Sequence, residues 1–421
     1  MCFLFLLIVG GSYVALKNGV GQTEQQRLNR SFVIELLRQK RICSRTDLSK
    51  GSRLQRATIT NIINEFIDNG LVVEDGLLDG EKGRRSIGIK VNGHRYRVIG
   101  VMVTRDEYSI GLIGLSGESY SVKRSAIQAG TDAQTIIDHV KHDIQTMIDK
   151  ASSEAQVLAI GIALPGPYKR EQDEIVFVTN LDGWEDMPVL GKLQNGFDIP
   201  IFIENDANAG AYAQYWCGDK EARLRNLAYV VAGQGIGCGI ISDGEILQGS
   251  MGIAGEMGHT SIHYEGTRCE CGNRGCLEGY CSLIVLQKNI TKRILSGEEH
   301  SELHPGFSIE ALERAIRRKD PVALPEYEKI CYFLSVGIVN MINQINPNVV
   351  IIGDRLAMFE PDTMLRIVRE NVRKSLRPLV WESLQIEISQ LEHNPILVGA
   401  GAIAAKQVFT DPMAYVPKMR A

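Results

Sequence analysis

Residues 256–281 read EMGHTSIHYEGTRCECGNRGCLEGYC. His259 is followed after nine residues by Cys269 and Cys271, and after four more by Cys276. Three thiols and an imidazole at this density make a four-ligand set suited to tetrahedral zinc. Gly272 and Gly275 flank Asn273 and Arg274 and let the backbone turn tightly enough for Cys271 and Cys276 to face one ion. Four protein ligands leave no position for a reacting water, so the expectation is a structural zinc on His259, Cys269, Cys271 and Cys276. Unrelated core cysteines are the plainer reading, and three cysteines within eight residues argue against it.

Composition places this cluster in a large globular chain. A length of 421 residues suffices for two or three domains with substantial cores. Hydrophobic residues make up 44% and charged residues 23%, ordinary values for a globular protein. Outside the cluster, Cys2, Cys43, Cys217, Cys238, Cys281 and Cys331 are scattered, a usage that fits reduced thiols in the cytoplasm. Charge is uneven. Residues 21–92 carry 13 Lys and Arg against 9 Asp and Glu, whereas residues 93–421 carry a net −9. A basic front on an acidic body suits a front module that meets a polyanion.

Between residues 27 and 70 the apolar spacing is helical three times over. Leu28, Phe32, Val33, Leu36 and Leu37 form one stripe. Ser44, with Asp47 three residues on, is an N-cap that opens a short second helix through Leu48. In a third helix Ile59, Ile62, Ile63, Phe66 and Ile67 share a face, and Asn69-Gly70 ends it. Its outward face carries Gln55, Arg56, Thr58, Thr60 and Asn61, which reach phosphates and base edges in a major groove. A β-hairpin follows, 71–73 against 87–91. Its tip offers Lys82, Arg84 and Arg85 to a narrow, electronegative minor groove. The ensemble reads as a winged helix-turn-helix. A three-helix packing module without a DNA role is the alternative, and the arginines of the wing count against it.

The first twenty residues hold the apolar run MCFLFLLIVGG. No positive charge precedes it, and it is too short to span a bilayer. A DNA reader has no use for export. The expectation is therefore a cytoplasmic protein without membrane association, whose working part begins near Gly21, with residues 1–20 an extension.

The pattern His-x9-Cys-x-Cys-Gly-x-x-Gly-Cys-x-Glu, behind such a head, resembles the ROK family of repressors, open reading frames and sugar kinases. The likeness is to regulators of the xylose-repressor or N-acetylglucosamine-repressor type, and it covers the chain from Gly21 to about Phe409. It implies an α/β chain in which the winged helix-turn-helix precedes a two-lobed, actin-like (ribonuclease H-like) sugar-kinase fold. The expected domains are a head at 21–92, a first lobe at 93–208 completed by a C-terminal helix at 393–409, and a second lobe with the zinc motif at 209–392.

The body fits that outline. Residues 157–164 are a buried-strand run ending in Pro165-Gly166-Pro167, and residues 180–184 resemble the family's loop near the sugar. Residues 201–204 are another strand, delivering Asn205 and Asp206 at its C-terminal end, where α/β sheets place ligand groups. The resemblance assigns Asn205, Asp206, Glu256, His259 and Glu278 to sugar hydroxyls, with Gly166 as a backbone contact. His259 would hold zinc through one ring nitrogen and face the sugar with the other. Asp206 matches the aspartate that serves family kinases as general base.

Two readings compete. In one the chain is a sugar-responsive transcriptional regulator, in the sense of a repressor of carbohydrate-metabolism genes. Its partners are operator DNA, a monosaccharide effector and further copies of itself, as a homodimer or higher homo-oligomer. In the other it is an ATP-dependent sugar kinase with an appended head. Family kinases carry an acidic residue and a Gly-Gly-Thr turn where this chain has Met102, Thr104, Arg105 and Asp106. Met102 cannot assist a metal–phosphate complex, Asp106 repels phosphate, and the bulky turn prevents close backbone approach. Phosphoryl transfer rests on positioning and charge neutralisation, so the first reading is favoured, with no catalytic residue and Asp206 a vestige. A second glycine-rich turn at 233–239 resembles the family's second phosphate loop, but Asp354-Arg355 stands where family kinases tend to keep glycine near adenosine. A third reading, the cysteine cluster as a DNA-binding finger, conflicts with its acidic setting of Glu256, Glu265, Glu270 and Glu278.

Three finer expectations follow. Retained Asp206 favours a free sugar over a sugar phosphate. Sugar closes the lobes and re-spaces paired heads. In the turn at 50–55, Gly51 and Arg53 stand where relatives usually have leucine and glycine, so Arg53 is strained, or the turn is rebuilt, or Arg53 adds a phosphate contact.

Overall fold

The computed structural model describes residues 6–9, 12–15, 21–78, 85–128, 130–166, 168–169, 172–175, 183–184, 187–218, 222–297 and 300–417. The wing tip with Lys82 and Arg84, Pro167 and residues 180–182 lie outside them.

Three helices build the head: α1 (Gln22–Lys40), α2 (Arg45–Ser52) and α3 (Arg56–Asp68). Val33, Ile34 and Leu37 of α1, Leu48 of α2, and Ile59, Ile62, Ile63 and Phe66 of α3 are buried. Leu28, Phe32, Leu36 and Ile67 are half-buried, and Ile34 takes an inner position that spacing did not assign. The capping box forms: Asp47 N donates to Ser44 Oγ at 3.2 Å, and Ser44 N to Asp47 Oδ2 at 3.0 Å. The wing pairs β1 (Val72–Leu78) with β2 (Ser86–Val91), with a bulge between Glu74 and Leu77. Cys43 adds an isolated bridge to Ile89. Arg53 ends α2 at φ 58°, ψ 14°, a left-handed conformation that favours glycine. Arg53 thus sits in a strained backbone conformation.

By its contacts the chain divides into two compact units, residues 1–221 with 396–421 and residues 222–395. In the first unit, beyond the head, run β3 (Tyr96–Val103), β4 (Glu107–Gly114), β5 (Ser119–Ala126), β6 (Gln156–Leu164) and β7 (Ile201–Asn205). Their order in the sheet is β7-β6-β3-β4-β5. The antiparallel meander β3–β5 is extended by β6 and β7, parallel to β3. The meander has one strand more than spacing suggested, because β5 reads SYSVKRSA and is largely exposed.

In the second unit run β8 (Leu227–Ala232), β9 (Ile236–Ser242), β10 (Glu245–Ile246), β11 (Val349–Gly353) and β12 (Gln385–Ile388), in the order β10-β9-β8-β11-β12. Strand directions repeat those of the first sheet. The same path drawn twice is the actin-like, ribonuclease H-like sugar-kinase architecture expected from the sequence.

Helices cover both sheets. Ile136, Val140 and Ile144 of α4 (Ala133–Ala151) pack with Ile99, Val101 and Ile160. α5 (Asp206–Cys217) follows β7 directly and is buried nearly all round. In the second unit, Leu334 and Ile338 of α6 (Ala323–Ile345) and Val368 of α7 (Pro361–Ser375) share a core with Ile352. The small-residue helix α8 (Pro395–Thr410) returns to the first sheet. Its approach is close enough that a Cβ at Gly161 of β6 would sit 1.8 Å from Ala400 O. Among the described residues no helix is long and apolar enough to cross a membrane.

Candidate functional site

In the second unit, side-chain ligand atoms of His259, Cys269, Cys271 and Cys276 all lie within 4.8 Å of one another. It is the one such group among the described residues. Cys269 Sγ is 3.7 Å from His259 Nδ1, and Cys271 Sγ is 3.7 Å from Cys276 Sγ. Metal–sulfur bonds of about 2.3 Å give tetrahedron edges of about this length, so the donors fit one tetrahedral ion. Burial, and then the neighbouring thiols of Cys269 and Cys271, push the Cys276 thiol up to about 12. A divalent cation reverses that balance by stabilising thiolates.

The loop is built to present these groups. Cys269 N donates to Asn273 O at 2.8 Å and Gly272 N to Cys269 O at 3.0 Å, closing the turn between the thiols. Gly275 has φ +67°, and a Cβ there would lie 1.8 Å from His263 O. Asn273 Nδ2 donates to His259 O at 3.0 Å and ties the histidine's backbone to the cysteine turn. Spacing had given Asn273 only a turn role.

The two glutamates flank this cluster in sequence. Glu256 leads into a single 3-10 turn at Met257–His259, where His259 N donates to Glu256 O at 3.1 Å. Glu278 opens the short helix Glu278–Cys281, and its Oε2 accepts from Ile236 N at 2.8 Å.

In the first unit the junction of β7 and α5 gathers Gly166, Asn205 and Asp206. Asn205 Oδ1 accepts from Ala207 N at 2.9 Å and Asn208 N at 3.2 Å, capping α5. Its Nδ2 donates to Gly166 O at 3.0 Å. Asp206 Oδ1 accepts from Ala207 N at 2.7 Å. Buried Glu204 accepts from Asn205 N and Asn208 Nδ2, both at 3.1 Å. Asn205 therefore shapes the loop as well as facing it, and Glu204 and Asn208 hold it in place. Spacing had not assigned them that role.

The far end of α5 meets the head. Arg38 of α1 is buried, with its guanidinium carbon 3.8 Å from the centroid of the Trp216 ring. Arg38 Nη1 donates to Trp216 O at 2.7 Å, and Nη2 pairs with Glu35 Oε1 at 2.5 Å. Burial works against the Arg38 charge, but the Glu35 carboxylate outweighs it and holds the group above its ordinary value. Trp216 is fixed in turn, its Nε1 donating to Leu115 O at 3.3 Å and its ring 5.6 Å from that of Phe409. Arg27 Nη1 adds a bond to Thr410 O at 3.0 Å. The helix that Asn205 caps thus ends under the first helix of the head.

On the head itself, Gln55, Arg56, Thr60 and Asn61 are exposed at or near the N-terminal end of α3, and Thr58 is half-buried. Thr60 Oγ1 donates to Arg56 O at 2.9 Å, leaving its lone pairs for an outside donor. Asn64, also exposed, continues this face one turn on and accepts from Arg45 Nη2 at 3.2 Å. Its spacing from Thr60 and Asn61 was the signal for it. Arg85 is exposed just before β2.

The turn between β3 and β4 is closed by its own side chains. The Thr104 hydroxyl lies 2.9 Å from both Asp106 Oδ1 and Glu107 O and accepts from Glu107 N at 3.1 Å. Met102 is buried.

Together these features define a class: a winged helix-turn-helix joined to a body of the sugar-kinase fold. The ROK family profile matches residues 98–407, and the chain belongs to the ROK family. It is similar to the xylose repressor of Caldicellulosiruptor bescii, at 31% identity over 396 residues, 92% of this chain and 98% of that protein. Among solved structures it is similar to a ROK family transcriptional regulator that is a homolog of the E. coli MLC protein. The TM-score is 0.78 at 28% identity, covering 93% of this chain and 99% of that one. It is also similar to a ROK family glucokinase from Streptomyces griseus in complex with glucose and AMPPNP. There the TM-score is 0.64 at 26% identity, covering 73% of this chain and 99% of that one.

Proposed function

We infer that this chain is a sugar-responsive transcriptional repressor whose head binds operator DNA and whose body binds a monosaccharide. The observation that carries the reading is the exposed polar face of α3 on a chain matched over 92% of its length by a xylose repressor. Operator contacts come from Gln55, Arg56, Thr58, Thr60 and Asn61, with Lys82, Arg84 and Arg85 on the wing. Sugar contacts come from Gly166, Asn205, Asp206, Glu256, His259 and Glu278. Carboxylates beside amphoteric groups suit a ring of hydroxyls, each of which donates and accepts. A sugar lacking one hydroxyl would leave a polar group unpaired, which gives discrimination. Zinc on the His259–Cys276 tetrad is structural and orients His259. The protein acts in the cytoplasm as a homodimer or higher homo-oligomer, since helix-turn-helix heads read paired half-sites.

The head hears the sugar through α5, whose first residue is Asp206 and whose penultimate residue is Trp216. Linkage requires only that sugar bind better to one arrangement of this helix and head. Kinase activity is not supported: the 104–106 turn has no glycine for close phosphate approach and presents a carboxylate instead. Asp206 then serves as a hydroxyl acceptor, and a free sugar fits it better than a sugar phosphate.

Operator affinity at fixed salt, measured with a panel of free monosaccharides and their 6-phosphates, tests the function. One free sugar is expected to weaken operator binding and to raise the melting temperature. Operator affinity indifferent to every sugar would refute the reading, and turnover of Mg-ATP at ~1 per second, an ordinary kinase rate, would replace it with the enzymatic one.

A further inference from the structure

Asp354 stands in an unusual conformation beside the second glycine-rich turn. The turn, residues 233–235, links β8 to β9 and is drawn tight by Gly233 N donating to Gly235 O at 3.1 Å. β11 runs parallel to β8 with Gly353 opposite Val231, so Asp354 emerges beside the turn. Its backbone lies at φ 71°, ψ −176°, a region that is nearly exclusive to glycine. Strain of that kind persists where the surroundings hold it.

Asp354 precedes the short helix Arg355–Phe359, yet its side chain makes no capping bond to that helix. The carboxylate turns to the glycine turn instead: a Cβ built on Gly233 would lie 1.8 Å from Asp354 Oδ2. A second carboxylate is lodged at the same turn, with Glu278 Oε2 2.8 Å from Ile236 N and 2.7 Å from where a Cβ of Gly235 would be. Glycine turns at the C-terminal ends of sheet strands are favoured anion sites, since backbone amides can close on phosphate oxygens. Here two oxyanions of the chain's own already sit on one.

We propose that Asp354 is a specificity-determining residue: a built-in anion that keeps nucleoside triphosphates off the second unit. The proposal rests on the non-enzymatic reading above and gives it a residue. It also explains how a body similar to a glucokinase solved with AMPPNP can serve only the sugar.

The test is binding of Mg-ATP, and separately of inorganic tripolyphosphate, to the full chain by calorimetry. Asp354→Gly removes both the charge and the strain and is expected to gain at least ~10-fold in affinity for both probes, a gap typical of like-charge exclusion. Asp354→Asn keeps the strained backbone and is expected to gain less. The melting temperature of Asp354→Gly should rise. If neither variant gains affinity, or if the parent binds Mg-ATP as tightly as Asp354→Gly, the proposal fails. Operator response to sugar, read on the same proteins, separates the two claims: lost response in every protein, parent included, sinks the repressor reading while a gain in Asp354→Gly still stands.

Discussion

Arg38→Ala cuts the contact through which α5 meets the head. A buried guanidinium 3.8 Å above an indole ring is worth roughly 2 kcal/mol. Its bond to Trp216 O, charge-assisted, adds about 1.5–3 kcal/mol. The two share one side chain and do not add fully. Glu35, left behind, is 27% exposed and keeps a bond from Gln39, so it incurs little further penalty. A net loss of about 3 kcal/mol shifts the docked against the undocked head by roughly 100-fold. Fluorescence anisotropy of a labelled operator, with and without the inducing sugar, reads the outcome. The parent is expected to show a coupling within the usual ~5–150-fold range, and Arg38→Ala a coupling near one, with the sugar's thermal shift intact. Arg38→Lys, which keeps charge but not the plane, should fall between. Full sugar-dependent change in Arg38→Ala would show that α5 does not carry the signal.

Other substitutions probe the remaining parts. Cys271→Ser is expected to lose bound zinc by atomic absorption and to lose the sugar response, while operator binding without sugar persists; a response that survives metal loss refutes the orienting role of the tetrad. Arg53→Gly relieves a left-handed residue and should raise head stability by about 1 kcal/mol in denaturant titration. If operator affinity falls at the same time, Arg53 also touches phosphate. Ser44→Ala should cost about 1 kcal/mol through the lost cap. The Ser44 side chain, and then its backbone, hold the Asp47 carboxyl below the usual carboxylate range. A lowered folded value means the cap contributes fully above about pH 4 and fades as pH falls through the folded value. The Ser44→Ala deficit should therefore shrink in acid, and a deficit unchanged to pH 2 would remove the ionised carboxylate from the account.

Much of the chain was legible because its signals are local. His259, Cys269, Cys271 and Cys276 announce a tetrad by density alone, and Ser44–Asp47 announces a cap by spacing. The third-helix stripe of Ile59, Ile62, Ile63 and Phe66 is buried as periodicity requires. What escaped depends on tertiary partners. β5 is a polar edge strand, and nothing in SYSVKRSA marks it until β4 supplies its ladder. Arg38 reads as one more surface charge on a helix until Trp216, far along the chain, lies under it. The burial of Ile34 and the capping role of Asn205 have the same cause: spacing gives the face, and only the neighbour decides what covers it. Asp354 could be flagged as a departure, but its dihedral angles and the direction of its carboxylate belong to the fold.

The doubled strand path has one more consequence. In both sheets the first strand turns back into the second, so the bend at 104–106 and the bend at 233–235 are two castings of one hairpin. The first closes with threonine, arginine and aspartate and no glycine at all. Reversal of the chain at that address therefore does not demand glycine. The glycines at 233 and 235 answer to something other than making the bend: a side chain at either place would run into the Asp354 and Glu278 carboxylates lodged there.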